Sequence, residues 1–261
     1  MNDNAHGLGN LDDLFQSARE DGLTGDTMDI VVSNLNGPTM MSAVGVPLHA
    51  LTTNEVTLAM NIVDMSGSMQ PFADDLIDAY NDDYLAAMAS SLSADDILVS
   101  TIFFEDHVQL YHGYLRLEDA PPLSPQVYRP GASTALYDAV AAGLTNMVLY
   151  TQQLRQSGVM VRCLVLVYSD GEDNASRQPA TAVRRAVHEL LKHEIYTLAY
   201  VGFRNGGVSE RVLRQMADEI GFPEILASGL SQAELQRIFR MASMSTINVS
   251  QGRRTAAGVF S

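Results

Sequence analysis

From about residue 54 onward, short β-rich runs alternate with longer stretches whose apolar residues recur at helical spacing. That is the pattern of a mostly parallel sheet covered by helices on both faces. The first run, Val56 to Val63, leads into Asp64 and a Ser/Gly turn. A helix is predicted from about Pro71 to Ser90, because Phe72, Leu76, Ile77, Tyr80, Tyr84, Leu85 and Met88 fall on one face. The paired acids Asp74-Asp75 and Asp82-Asp83 are expected on its solvent side. Ile97 to Phe104 and Val108 to Tyr114, parted by Glu105-Asp106-His107, read as a hairpin that adds an antiparallel edge strand. After the Pro-containing loop Pro121 to Gly131, a helix is predicted from about Thr134 to Gln156. Val161 to Tyr168 is apolar almost without alternation, so it is expected at the centre of the sheet, buried on both faces, ending at Ser169-Asp170-Gly171.

A helix from about Ala180 to His193, a strand Ile195 to Val201, a turn at Arg204-Asn205-Gly206-Gly207 and a helix Ser209 to Ile220 continue the series. A strand Glu224 to Ala227 and a helix from about Ser231 to Met244 close it. The expected fold class is α/β: a Rossmann-like open sheet, mostly parallel with one antiparallel edge strand, and helices on both faces. The division is an N-terminal arm over 1–52, the α/β domain over 53–250 and a frayed tail over 251–261. In the arm, Leu11, Leu14, Phe15 and Ala18 have the spacing of one amphipathic helix, and Met28 to Leu35 suggests another. Two readings of the arm stay open: it packs back on the domain, or it docks a partner or a neighbouring copy.

Composition narrows the function. Against 31 Asp and Glu stand 16 Lys and Arg, a formal net charge of −15, which excludes a nucleic-acid binder that must hold phosphates. No GxxxxGK[ST] element is present, so no P-loop is expected. The apolar run Cys163 to Tyr168 is far short of the roughly 18 residues a membrane span needs. Met1 to Asn10 has neither a basic nor an apolar leader segment, so a cytoplasmic location is the expectation. Cys163, the single cysteine, suits the core better than thiol chemistry.

Three strand ends carry oxygen ligands and little else. In Asp64-Met65-Ser66-Gly67-Ser68, an extended loop would point the side chains at i, i+2 and i+4 the same way, converging one carboxylate and two hydroxyls. Thr134 lies in Gly131-Ala132-Ser133-Thr134, and Asp170 in Ser169-Asp170-Gly171-Glu172-Asp173. In open α/β sheets ligands bind outside the carboxyl ends of the strands, where these loops should lie. Two carboxylates and three hydroxyls form a hard oxygen set with too few charges to favour calcium, so Mg²⁺ or Mn²⁺ is expected.

Asp64-Met65-Ser66-Gly67-Ser68-Met69 resembles the DxSxS element of the von Willebrand factor type A domain, also called the integrin I-like domain. Gly131 to Ala139 is similar to that family's threonine loop and following helix, and Val165 to Asn174 to its aspartate segment. The resemblance covers roughly residues 54 to 248, in the family's order. It implies a metal-ion-dependent adhesion site with Asp64, Ser66, Ser68, Thr134 and Asp170 as ligands, directly or through water. It implies too that a Glu or Asp of a partner protein completes the coordination. Free-standing intracellular members often serve as adaptors, some beside AAA+ ATPases or protein kinases. Where the family often has Gly-Gly-Thr-Pro, this chain has Ala132-Ser133-Thr134-Ala135, which keeps the threonine.

Plainer readings exist for each element. Asp64, Ser66 and Ser68 together, or Thr134 alone, could cap a helix, and Asp170 could be a turn residue. His188 and His193 are five apart, hence on different faces of a helix and unlike a zinc pair. His107 and His112 have no matching ligand cluster in the sequence. The expected function is a non-enzymatic, divalent-metal-dependent protein-interaction module, an adaptor or scaffold. One alternative is a structural protein that self-associates through its N-terminal arm. The other is a metal-dependent hydrolase or phosphatase, for which Glu172 or Asp173 is the available base.

Overall fold

The β4 strand, Met160–Ser169, carries the most continuous apolar run, and every residue from Cys163 to Ser169 is buried. It lies between β1 (Glu55–Asp64) and β5 (Tyr196–Phe203), both in parallel register. With β2 (Ile97–Phe104), β3 (Val108–Arg116) and β6 (Glu224–Ser228) these form one six-stranded sheet of order β3-β2-β1-β4-β5-β6. Only β3 runs antiparallel, paired with β2 as the expected hairpin. The structure, a computed structural model, describes residues 10–23, 25–35, 45–131, 133–171, 173–206 and 208–253.

Alternation along β1 sends its side chains into two cores. Leu58, Met60 and Ile62 face the larger one, shared with α1 (Leu11–Glu20), α2 (Asp26–Ser33), α4 (Leu136–Gln156), α5 (Ala180–Leu190) and α6 (Glu210–Ile220). Ala59 and Val63 face the other core, under α3 (residues 73–89) and α7 (Gln232–Ser250). This is the three-layer α/β architecture expected from the alternating pattern. None of the described helices is long and apolar enough to cross a membrane.

The arm's two helices sit where their apolar faces find cover. Leu14, Ala18, Leu23, Met28, Ile30 and Val31 are buried in the larger core. Arg155 of α4 pairs with Asp21 at 2.9 Å, and Glu189 of α5 accepts the Thr27 N–H at 2.8 Å. A bridge between Gly45 and Tyr114 carries the chain past β3 before it enters β1.

The predicted helix over 71–90 differs in its interior. Residues 73–89 comprise an α-helical part, Ala73–Asp78, a π-helical part, Ala79–Leu85, and a closing α turn, Ala86–Ala89, with a 3₁₀ segment Gly67–Phe72 before them. Leu76, Tyr80, Tyr84 and Met88 are all fully buried, at intervals of four. In a regular α-helix each such step advances about 40° past a full turn, so the four would drift around the helix. The wider π turn absorbs the drift and keeps one face on the core.

Other boundaries move by a few residues. α4 begins at Leu136 rather than Thr134, α5 ends at Leu190, which leaves His193 beyond the helix, and β5 runs on to Phe203. The last helix continues to Ser250 instead of stopping near Met244, because Ser245, Thr246 and Val249 are still buried. Cys163 is fully buried, and burial pushes its thiol up to about 12, consistent with an inert core residue.

Candidate metal centre

Val63 of β1 is in register with Tyr168 of β4, so Asp64 and the Ser169-Asp170 pair leave the sheet side by side. The chain runs from β1 outward to β2 and from β4 outward to β5, so the crevice between β1 and β4 is the point where strand order reverses. The two carboxylates of the candidate ligand set therefore stand where an open α/β sheet presents a ligand site.

Asp64 is fully buried and each of its oxygens is engaged. Oδ1 accepts the Ser66 N–H at 2.8 Å, and Oδ2 accepts the Ser169 hydroxyl at 2.7 Å. Burial lifts its carboxyl from the usual 3.8 to about 7; the bonds from Ser66 and Ser169 oppose that rise, and the nearby charge of Asp170 adds to it. Asp170 is 4% exposed. Among the described residues no lysine or arginine pairs with either carboxylate. Two close, buried carboxylates without a cationic partner have the donor chemistry that a hard divalent cation fits.

The loop after β1 is not extended as expected. Ser66 keeps an extended backbone, but Gly67–Phe72 turns as a 3₁₀ helix, because the Met69 N–H closes on the Ser66 carbonyl at 3.0 Å. The convergence survives by another route: the turn brings the hydroxyls of Ser66 and Ser68 within 3.0 Å of each other. Ser66 is buried and Ser68 exposed, so this pair opens toward solvent on one side. Neither hydroxyl caps the helical turn that follows.

Thr134 is placed by its backbone. The Gly131 N–H donates to Met65 O at 3.0 Å, which sets Gly131 against the loop after β1, and the Ala135 N–H donates to Glu105 O at 2.6 Å, which sets Ala135 against the β2–β3 turn. The Thr134 N–H donates to Asn174 Oδ1 at 2.9 Å, and its carbonyl accepts from the Asn174 and Ala175 amides. Thr134 is thereby tied to the segment that follows Asp170. Its capping role is taken by Ser176, whose hydroxyl oxygen accepts the first N–H groups of α4 from Tyr137 and Asp138 at 3.0 and 3.1 Å. Thr134 is 3% exposed, and its hydroxyl makes no hydrogen bond among the described residues.

All five candidates thus belong to three loops that backbone and carboxylate bonds hold together at one end of the sheet. Sequence reasoning missed the residues that shape it: Ser169, Asn174, Ser176 and Tyr128, whose hydroxyl donates to Asp64 O at 2.5 Å. Ser169 adjoins a candidate, but its bond to Asp64 depends on strand register over 105 positions. Gly171 takes φ +94 directly after Asp170, a turn that L side chains rarely adopt, and its amide closes on Ser169 Oγ at 3.1 Å. Ala132 and Glu172 lie outside the described residues.

A second group differs from expectation. Glu105, Asp106 and His107, read as a hairpin turn with no matching ligand cluster, bring their potential ligand atoms within 4.8 Å of one another. His107 Nδ1 bonds Asp106 and stands 3.7 Å from Glu105 Oε1. Asp106 and His107 are exposed. His112 is buried, and burial pulls its imidazole below the usual value.

No protein-family model and no curated protein matches the sequence. Solved structures do resemble it. The PilB minor pilin from Streptococcus sanguinis is 13% identical with a TM-score of 0.54, over 78% of this chain and 63% of that one. The pilus adhesin SpaC from Lactobacillus rhamnosus GG, in an open conformation, is 13% identical with a TM-score of 0.55, over 76% of this chain and 30% of that one. This chain spans less than two thirds of either protein. At such identities the likeness is one of fold: an open, mostly parallel sheet with helices around it.

Proposed function

We propose that this chain is a divalent-metal-dependent protein-interaction module of the von Willebrand factor A type, which captures a Glu or Asp of a partner protein at the β1/β4 end of its sheet. The observation that carries the reading is the pair Asp64 and Asp170: both buried, paired with no lysine or arginine among the described residues, and joined by the loop that carries the Ser66 and Ser68 hydroxyls, with the Thr134 backbone tied to the segment after Asp170. A bound Mg²⁺ or Mn²⁺ would supply the positive charge that lets a chain of net charge −15 accept an acidic partner. Asp64 and Asp170 would hold the ion with the three hydroxyl residues. The exposure of Ser68 leaves the partner a side from which to approach.

Of the two candidate bases for hydrolysis, Glu172 and Asp173, it is Asp173 whose bonds support the non-enzymatic reading. Its Oδ1 accepts the Ser176 hydroxyl at 2.6 Å and lies 3.4 Å from the Tyr137 amide, so it serves the start of α4 rather than a substrate. The adaptor role, a cytoplasmic setting and partners of the AAA+ ATPase or kinase kind are part of the same proposal, drawn from the family resemblance. A pilus adhesin among the structures of similar fold fits an interaction role as well.

Co-precipitation in Mg²⁺, in EDTA and with the Asp170→Ala variant tests this reading. The expected result is partner retention in Mg²⁺ alone. Equal retention in all three arms would contradict it.

A further inference from the structure

A residue outside the candidate ligand set reaches into it from a third strand. Asn205 follows β5, and its side-chain nitrogen lies 2.9 Å from Ser68 O and 3.3 Å from Asp170 Oδ2. Both neighbours are oxygens that can only accept, so the amide nitrogen and not the amide oxygen must face them, and its two hydrogens match the two acceptors. One side chain therefore joins the loop after β1 to the carboxylate after β4.

The turn that carries Asn205 is itself fixed. The Arg204 N–H donates to Ser228 O at 2.7 Å, the Asn205 N–H to Phe203 O at 3.1 Å, and the Val208 N–H closes on Asn205 O at 2.9 Å. The side chain is half-buried and starts from a backbone held on both sides, the arrangement that lets an outer residue orient an inner one. Resting on the metal-site reading above, we infer that Asn205 is a positioning residue: it holds Asp170 in one rotamer and keeps the Ser68 turn at a set distance from it. Asp170 Oδ1 is then the oxygen left to face an ion. Aspartate, nearly the same shape, cannot do this, because it would set a third acceptor against two others.

Two readouts on Asn205→Ala and Asn205→Asp test the inference. The first is the χ1 rotamer of Asp170 in metal-free protein, read from three-bond couplings to its carboxyl carbon. A single rotamer is expected in the wild type and an average in both variants, with unfolding midpoints in EDTA little changed in Asn205→Ala. The second is calorimetric titration with Mg²⁺, where Asn205→Ala is expected to weaken binding about tenfold or more, the usual scale for an outer residue that orients a ligand. An unchanged Asp170 rotamer in both variants, or unchanged Mg²⁺ affinity in Asn205→Ala, would overturn the inference. If the wild type binds no Mg²⁺, the metal-site reading fails, while the couplings, which need no ion, still decide whether Asn205 holds Asp170.

Discussion

The Ser169 hydroxyl donates to Asp64 Oδ2 at 2.7 Å, joining the last residue of β4 to the last residue of β1 at the buried carboxyl end of the two strands. That bond turns the Asp64 carboxylate and, through Gly171 N–H bonding to Ser169 Oγ, also shapes the turn that carries Asp170. Ser169→Ala is expected to lower stability by about 1–3 kcal/mol, since a buried carboxylate loses a donor and a buried amide an acceptor. It should also raise the Asp64 carboxyl further, because a bond to the charged form is removed. Urea unfolding and the carboxyl titration of Asp64 measure the two effects; no change in either would refute the role given to Ser169.

The burial of Asp64 predicts an unusual pH dependence in EDTA. Its carboxyl rises from 3.8 to about 7 on folding, so between about pH 4 and pH 7 the folded chain binds a proton that the unfolded chain has released. Stability then falls as pH rises through that window. Asp64→Asn removes the charge with little change of shape and is expected to unfold at a higher temperature than the wild type at pH 8 in EDTA. A wild type as stable at pH 8 as at pH 5, and no less stable than Asp64→Asn, would show that the folded state does not penalise this charge.

Protons and metal compete for the same carboxylate. The rise in unfolding midpoint on adding Mg²⁺ is therefore expected to be larger at pH 8 than at pH 5.5. A thermal melt at both values with and without Mg²⁺ measures it, and a gain that is equal or larger at the lower pH speaks against Asp64 as a ligand.

Ser68 separates ligand from scaffold. It is exposed, and among the described residues its hydroxyl bonds only the neighbouring Ser66 hydroxyl, so Ser68→Ala should change stability by no more than about 0.5 kcal/mol. Its Mg²⁺ affinity should nevertheless drop measurably. Loss of stability with affinity intact would assign Ser68 to the fold instead.

The arm offers a test of its own. A Cβ on Gly45 would stand 2.3 Å from Cζ of the Tyr150 ring, which stacks on Tyr114 at 4.8 Å and donates to Val46 O at 2.9 Å. Gly45→Ala is expected to cost about 1–3 kcal/mol and to open the arm to protease. Equal protease resistance would mean that the segment around Gly45 is not held against Tyr150.

Much of this was legible along the chain. The unbroken apolar run of β4 marked the centre of the sheet, Glu105-Asp106-His107 marked the hairpin, and the oxygen-bearing segments pointed to the candidate loops: Asp64 and Asp170 stand at the ends of β1 and β4, whereas Thr134, read as a strand end, stands just before α4, well past the end of β3 at Arg116. The π turn was hidden because Leu76, Tyr80, Tyr84 and Met88 fit a helix well enough in a count of apolar positions, and only their steady interval of four betrays it. The shape of the Ser66 turn was misread because a side-chain alternation rule presumes an extended backbone, which Gly67 leaves. Ser169, Asn174 and Asn205 act across pairs of loops separated by 35 to 137 positions, and contacts set by register and loop closure leave no local pattern.

The most direct test of the metal site is calorimetric titration of Mg²⁺ and Mn²⁺ into the metal-stripped protein at pH 8, beside Asp64→Asn and Asp170→Ala. Saturable binding at one site per chain, lost in both variants while their unfolding in EDTA stays cooperative, is the predicted result. An absence of binding by the wild type, or binding that survives both substitutions, would contradict it.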